Sequence, residues 1–305
     1  MKSDAPSPRR LLDPELLSRI GSLDVIARRV VEGTMVGMHE SRSHGVGSEF
    51  AQYRPYIPGD DLRSLDWRVF ARTDRYYVRQ YTAETNLHAW LLVDSSASMG
   101  FQSRSVSKLD VSRILAASLA YLLVQQGDRV GLRPLAGATP TDVLPPGGGE
   151  RHLHVLLHAL DRMRAAGSGS LVAALDEALL RIRRRGPLFI FSDLYEPADK
   201  LGDAISRFSR AGFEVALFHV LDPIERNLEL SGDIEFVGLE GDGRLTADPR
   251  RIRADYNSRF AAHVDALRRA CNRSGADYVA IDTSGALDEA LARYLRARRA
   301  RVVAE

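Results

Sequence analysis

The chain has 305 residues, 45% hydrophobic and 27% charged, which suits a globular protein with room for one large α/β domain and a smaller unit. Its 42 basic and 40 acidic side chains leave a formal charge of +2, which excludes the broad basic footprint of a nucleic-acid or anionic-membrane binder. The single cysteine, Cys271, excludes an internal disulfide and agrees with a reducing compartment.

The N-terminus, Met1-Lys2-Ser3-Asp4-Ala5-Pro6-Ser7-Pro8-Arg9-Arg10, is not followed by the apolar core of a secretory signal. The longest mostly apolar stretch, 114–124, is well short of the ~18 residues that a spanning helix needs. A cytoplasmic protein is expected. Leu16, Leu17, Ile20, Leu23, Ile26 and Val30 recur near helical spacing and predict an amphipathic helix within 13–33. Residues 35–46 mix Gly, Ser and His and read as loop. From 49 to 84 aromatic residues and arginines interleave, Pro58-Gly59-Asp60-Asp61 marks a turn, and 76–82 alternates like a strand. This block reads as a small β-containing unit.

Beyond it strands and helices alternate. Strands are expected at 89–94, 129–135, 188–192 and 214–220, and helices at 109–125, 152–163, 171–185 and 200–210. The alternation breaks at 223–248, with strand-like pieces at 234–239 and 244–246. A long helix (252–273), a strand (278–282) and a last helix (287–298) follow. This order implies a doubly wound α/β fold with a mostly parallel sheet covered on both faces. The expected organisation is a helical segment (1–35), the β-containing unit (36–88) and the α/β domain (89–300).

The most informative stretch is Trp90-Leu91-Leu92-Val93-Asp94-Ser95-Ser96-Ala97-Ser98-Met99. An apolar strand ends in an aspartate, and Ser96 and Ser98 follow at alternate positions. Polar groups past the carboxyl end of a parallel strand sit where open α/β sheets bind ligands. One carboxylate and two hydroxyls can converge on a hard cation such as Mg²⁺; an ordinary Asx or Ser turn would use the same residues. The run Leu188-Phe189-Ile190-Phe191-Ser192-Asp193 repeats the pattern, so Asp94 and Asp193 share one sheet edge. Between them Gly167-Ser168-Gly169-Ser170 precedes a helix and offers hydroxyls, with Ser170 also suited to a helix N-cap.

Asp94-Ser96-Ser98, a mid-domain serine and a strand-end Asp193 resemble the metal-ion-dependent adhesion site of von Willebrand factor A domains. In that resemblance Ser170 after Gly169 is the best match for the third element, and Ser168 the second. The block Gly45-Val46-Gly47-Ser48-Glu49-Phe50, Arg54-Pro55-Tyr56, Pro58-Gly59-Asp60-Asp61, Arg63, Asp66-Trp67, Ala71-Arg72-Thr73 and Glu84 resembles the signature of the domain-of-unknown-function-58 family, which couples such a block to a von Willebrand A-like domain. The resemblance runs from about residue 33 to 299. It implies Mg²⁺, or Mn²⁺ or Ca²⁺ in its place, held by Asp94, Ser96, Ser98 and Ser170, with Asp193 acting directly or through water. It also implies a non-catalytic adaptor working with a MoxR-type AAA+ ATPase. An ion with one or two carboxylates stays under-neutralised, and an Asp or Glu of a protein partner would complete its coordination. The alternative is a metal-dependent phosphoester hydrolase using Asp94; a third reading keeps only a scaffold with a vestigial site.

Other signals favour structural roles. The Asp/Arg block at 59–72 reads as an internal salt-bridge and turn network before a partner surface. His154 and His158 share a helical face with no acidic ligand spaced for zinc. The arginines at 181–185 suit a helix end. Cys271 reads as a buried, inert thiol. No Gly-x-Ser-x-Gly elbow or phosphate-binding loop is present, and Gly147-Gly148-Gly149 reads as a flexible loop.

Overall fold

The computed structural model describes residues 22–38, 50–55, 69–70, 72, 76–81, 87–135, 143–241 and 243–302. Most of the family-signature block, including its Pro58-Gly59-Asp60-Asp61 turn, Arg63, Asp66-Trp67 and Glu84, lies outside the described residues. What is described of it is a two-stranded antiparallel sheet of β1 (Phe50–Pro55) and β2 (Tyr77–Tyr81).

The main sheet has six strands: β3 (His88–Asp94), β4 (Arg129–Leu135), β5 (Leu144–Gly147), β6 (Pro187–Ser192), β7 (Glu214–Leu221) and β10 (Asp277–Asp282). Their order is β10-β7-β6-β3-β4-β5, parallel throughout except for β5. A short hairpin, β8 (Ile234–Val237) and β9 (Arg244–Ala247), projects from the connection between β7 and β10.

The helices are α1 (Leu23–Met38), α2 (Lys108–Gln125), α3 (Gly149–Arg162), α4 (Leu171–Arg181), α5 (Ala198–Arg210), α6 (Pro223–Asn227), α7 (Pro249–Ser274) and α8 (Leu287–Val302). Strand side chains alternate between two cores, as a period of two dictates. Leu91, Val93, Phe189, Phe191 and Phe218 pack under α1, α2, α3 and α8. Trp90, Leu92, Leu188, Ile190 and Leu217 pack under α4, α5 and α7. The protein is therefore a doubly wound α/β fold. No helix among the described residues is long and apolar enough to cross a membrane.

The expected strands and helices are present with ends shifted by a few residues. Two elements differ more, and so do the glycines that follow Pro146. Helix α1 runs on through Gly33 to Met38, past the expected loop start, because Thr34 is buried against the core, its hydroxyl satisfied by the Val30 carbonyl (2.7 Å). The Leu144-Pro145-Pro146-Gly147 segment forms β5, since prolines without N–H donors are tolerated at a sheet edge. Gly147-Gly148-Gly149 forms no loop: it ends β5 and opens α3. Gly147 pairs with Val130, and a Cβ there would sit 2.4 Å from the His152 ring; Gly148 caps α3.

Candidate metal centre

Val93 of β3 lies opposite Phe191 of β6, so Asp94 and Asp193 leave the sheet side by side. The chain departs from β3 to β4 on one side and later returns as β6 on the other. A crevice opens where strand order reverses in this way.

Asp94 is only 5% exposed. One carboxylate oxygen accepts the Ser96 N–H (2.9 Å) and the other the Ser192 O–H (2.6 Å). Burial, then the charge of Asp193, pushes its carboxyl up to about 6, against the pull of those two bonds. The Ser96 and Ser98 hydroxyls are 3.1 Å apart. Their loop is fixed by backbone bonds on two sides: Ser95 N–H to the Leu135 carbonyl (3.2 Å) and Ala97 N–H to the Gly167 carbonyl (2.9 Å). Met99, fully buried, anchors the turn that follows.

Asp193 is 4% exposed and takes the ammonium of Lys108 at 2.8 Å. The same ammonium reaches Glu225 of α6 at 2.7 Å. Behind Asp193 the backbone is pinned. Its carbonyl accepts from His219 Nε2 (2.9 Å), and the next carbonyl, Leu194, accepts from His263 Nε2 (2.9 Å). Leu194 itself is left-handed (φ 55°), so the chain turns sharply as it leaves Asp193. His219 accepts the Tyr278 hydroxyl on its other nitrogen (2.6 Å); burial lowers its imidazole to about 3 and keeps it neutral.

Ser170 caps α4, accepting the Ala173 N–H (3.2 Å), and its hydroxyl donates to Glu196 (3.2 Å). Ser168 is exposed. One cavity of about 700 Å³ collects Asp94, Ser96, Ser98 and Asp193, and the serine loop reaches it through Gly169 and Leu171. Its far wall comes from the hairpin region and is mostly apolar, with Leu228, Ile234, Phe236, Val237, Leu239, Leu245 and Ile252, and it also carries Glu235 and Glu240. Several of these remain half exposed, Leu245 at 63%.

The donor set fits a hard divalent ion. It is all oxygen, and the buried Asp94 carboxylate, pushed toward protonation beside a second carboxylate, is a site that gains from a cation. Among the described residues no group of three or more His, Cys, Asp or Glu is arranged to hold a metal. The histidines of α3 are otherwise placed: His152 bonds the Val130 carbonyl (2.8 Å), and His154 and His158 are exposed. Cys271 is fully buried, and burial pushes its thiol up to about 12.

The model of the family described as "Protein of unknown function DUF58" matches residues 52–266. The chain belongs to this family. Uncharacterized proteins from Mycobacterium tuberculosis and Mycobacterium bovis are 32% identical to it over 292 residues, spanning 94% of this chain and 91% of theirs. Among solved structures, an aerotolerance-related membrane protein from Bacteroides fragilis is 16% identical and covers 68% of this chain and 97% of its own, with a TM-score of 0.46. A von Willebrand factor type A protein from Catenulispora acidiphila is 13% identical and covers 70% of this chain and 42% of its own, with a TM-score of 0.41.

Sequence reasoning about this DUF58 chain found the strand-end carboxylates and missed what surrounds them. Ser192 was visible only as the residue before Asp193. Lys108 was a lone cation opening an apolar helix, and Glu225 the fourth residue of an Asp-x-x-Glu capping pattern begun by Asp222. His219 and His263 carried no local signal.

Proposed function

We propose that the protein is a cytoplasmic, non-catalytic, divalent-metal-dependent interaction module. Asp94, Ser96 and Ser98 would hold Mg²⁺, or Mn²⁺ or Ca²⁺ in its place, with Ser170 and Asp193 completing the set. The observation that carries this reading is the buried Asp94 carboxylate with the paired Ser96 and Ser98 hydroxyls, all facing one cavity. An ion held by few negative ligands keeps exchangeable water positions, and a carboxylate oxygen from a partner replaces one of them. The apolar wall beside the site favours a partner segment in which the Asp or Glu is flanked by apolar side chains. The family resemblance makes a MoxR-type AAA+ ATPase the partner of first choice.

Recognition is favoured over hydrolysis by the placement of Asp94. Each carboxylate oxygen accepts one hydrogen bond, which leaves lone pairs able to hold an ion but fixes the side chain, mostly buried, in one orientation, whereas a nucleophile needs an open approach to its substrate. The test combines calorimetric Mg²⁺ titration with pull-down of a purified MoxR-type ATPase, for wild type and Asp94→Ala, with Mg²⁺ and with chelator. Ion binding and ATPase capture by metal-loaded wild type alone are expected. Unchanged binding and capture in all four arms would sink the reading, and turnover of a phosphoester panel abolished by Asp94→Asn would replace it with the hydrolase.

A further inference from the structure

Lys108 occupies a costly place. Its side chain is 0% exposed, which strips an ammonium of water. It also stands in the first turn of α2, where the helix dipole opposes a cation. An apolar residue would satisfy the packing there, against Phe101 and Tyr195, whose ring centres lie 5.7 and 5.0 Å from the ammonium. What no apolar residue supplies is the charge, which two carboxylates from distant elements share: Asp193 after β6 at 2.8 Å and Glu225 in α6 at 2.7 Å.

We propose that Lys108 is a built-in cation of the metal centre, a positioning residue that holds Asp193 away from the ion and leaves Asp94 as its one direct carboxylate ligand. This rests on the metal-site reading above and specifies its ligand set. Asp193 then acts on the ion through water. The ammonium lowers the negative charge of the floor, so the protein binds the divalent ion weakly. The ion keeps both a coordination position and residual positive charge for an incoming carboxylate. The same lysine ties the floor of the centre to α6, which leads into the apolar wall of the cavity.

The consequence is counter-intuitive for a buried, ion-paired lysine: removing it tightens metal binding. In Lys108→Met the unbranched stem still fills the space between Phe101 and Tyr195, while Asp193 and Glu225 lose their cation. Calorimetric titration with Mg²⁺ alone is expected to give at least tenfold tighter binding than wild type. Without metal the variant melts well below wild type, and Mg²⁺ restores most of that loss while moving wild type little. A lysine with a merely structural role predicts the melting loss without the metal rescue. Should Lys108→Met not fold in chelator, Lys108→Gln, whose amide still donates to a carboxylate, carries the same test.

Equal or weaker Mg²⁺ affinity in the lysine variants, with binding lost in Asp94→Asn, overturns the role of Lys108 and leaves the metal site standing. Titrations of wild type and lysine variants that all match Asp94→Asn overturn both. Tighter binding in the lysine variants supports the proposal whether or not wild type binds measurably.

Discussion

Asp94 and His219 pull stability in opposite directions as pH changes. With metal chelated, the Asp94 carboxyl sits at about 6 in the folded protein, above its ordinary 3.8. Its contribution is present below pH ~4 and is lost as pH rises through ~6, because the folded state must then bury a charge beside Asp193. His219, lowered to about 3, acts the other way: stability is lost as pH falls from ~6.5, because only the unfolded chain takes up that proton. Between pH ~4 and ~6 the two nearly cancel. Asp94→Asn removes one arm. Urea midpoints in chelator should show the variant more stable than wild type by about 3 kcal/mol at pH ~7, with the gap closing near pH ~4. Added Mg²⁺ should narrow that gap only slightly, since it binds the charged wild-type side chain alone and binds it weakly. Superimposable pH profiles would mean that Asp94 is not the strained group. Asp94 could be picked out in the sequence because a strand end announces it. The groups that tune it could not, because Lys108 and Asp193 are 85 positions apart, and His219 is 26 positions from the carbonyl it bonds. Only tertiary packing brings such pairs together.

The site exists because β3 and β6 lie in fixed register, and one glycine guards that contact. Gly186 enters β6 at φ +155°, and a Cβ there would stand 2.4 Å from the backbone oxygen of His88, the first residue of β3. Backbone cannot yield as a side-chain tip does. Gly186→Ala should therefore cost about 3 kcal/mol from overpacking and strain, and by pushing on the amino ends of the two strands it should shift β6 against β3, a slip in register that carries along the strands to Asp94 and Asp193. Thermal melting and Mg²⁺ titration check both effects; an alanine variant with native melting and native affinity would show that the register tolerates more slack than this geometry allows. At this scale most of the fold could be read from the sequence. β-branched and aromatic runs alternate with amphipathic helices, and 129–135 matches β4 at both ends. What escaped were short elements whose residues argue against their own structure. β5 carries two prolines, and α6 is held by the Asp222–Glu225 capping box more than by any apolar periodicity. The hairpin β8–β9 shows the converse. Its Leu245 and Val237 are 63% and 50% exposed, so Leu245→Ser should change the melting temperature by less than ~2 °C. Under the proposed function, the same change should weaken capture of a MoxR-type ATPase several-fold, and unchanged capture would remove the apolar wall from the docking surface.

The whole molecule is organised around α2, which is buried on nearly every side. A helix apolar all round needs cover on all sides. The sheet covers one, α3 and α8 flank it, and α1 closes the remainder with Leu23, Ile26, Ala27, Val30 and Val31. Thr34 of α1 also reaches the Asp288 carbonyl at the start of α8 (3.4 Å). The sequence offers a helical segment ending near residue 35 as a unit of its own; this packing argues that α1 is part of the α/β domain. Burying a large aliphatic side chain contributes roughly 1.5–3 kcal/mol, so four of them on α1 represent on the order of 6–12 kcal/mol, comparable with the whole stability of a typical domain. A chain begun at residue 39 should therefore fail to melt cooperatively and should bind a hydrophobic dye, while the metal centre at the far end of the strands loses its Mg²⁺ affinity with the fold. Supplying residues 1–38 as a separate peptide should restore part of the transition. A truncated chain that melts cooperatively within ~5 °C of the full protein would instead make α1 a separable segment, and α2 would then have to close its exposed face in another way, by a second copy or by the partner.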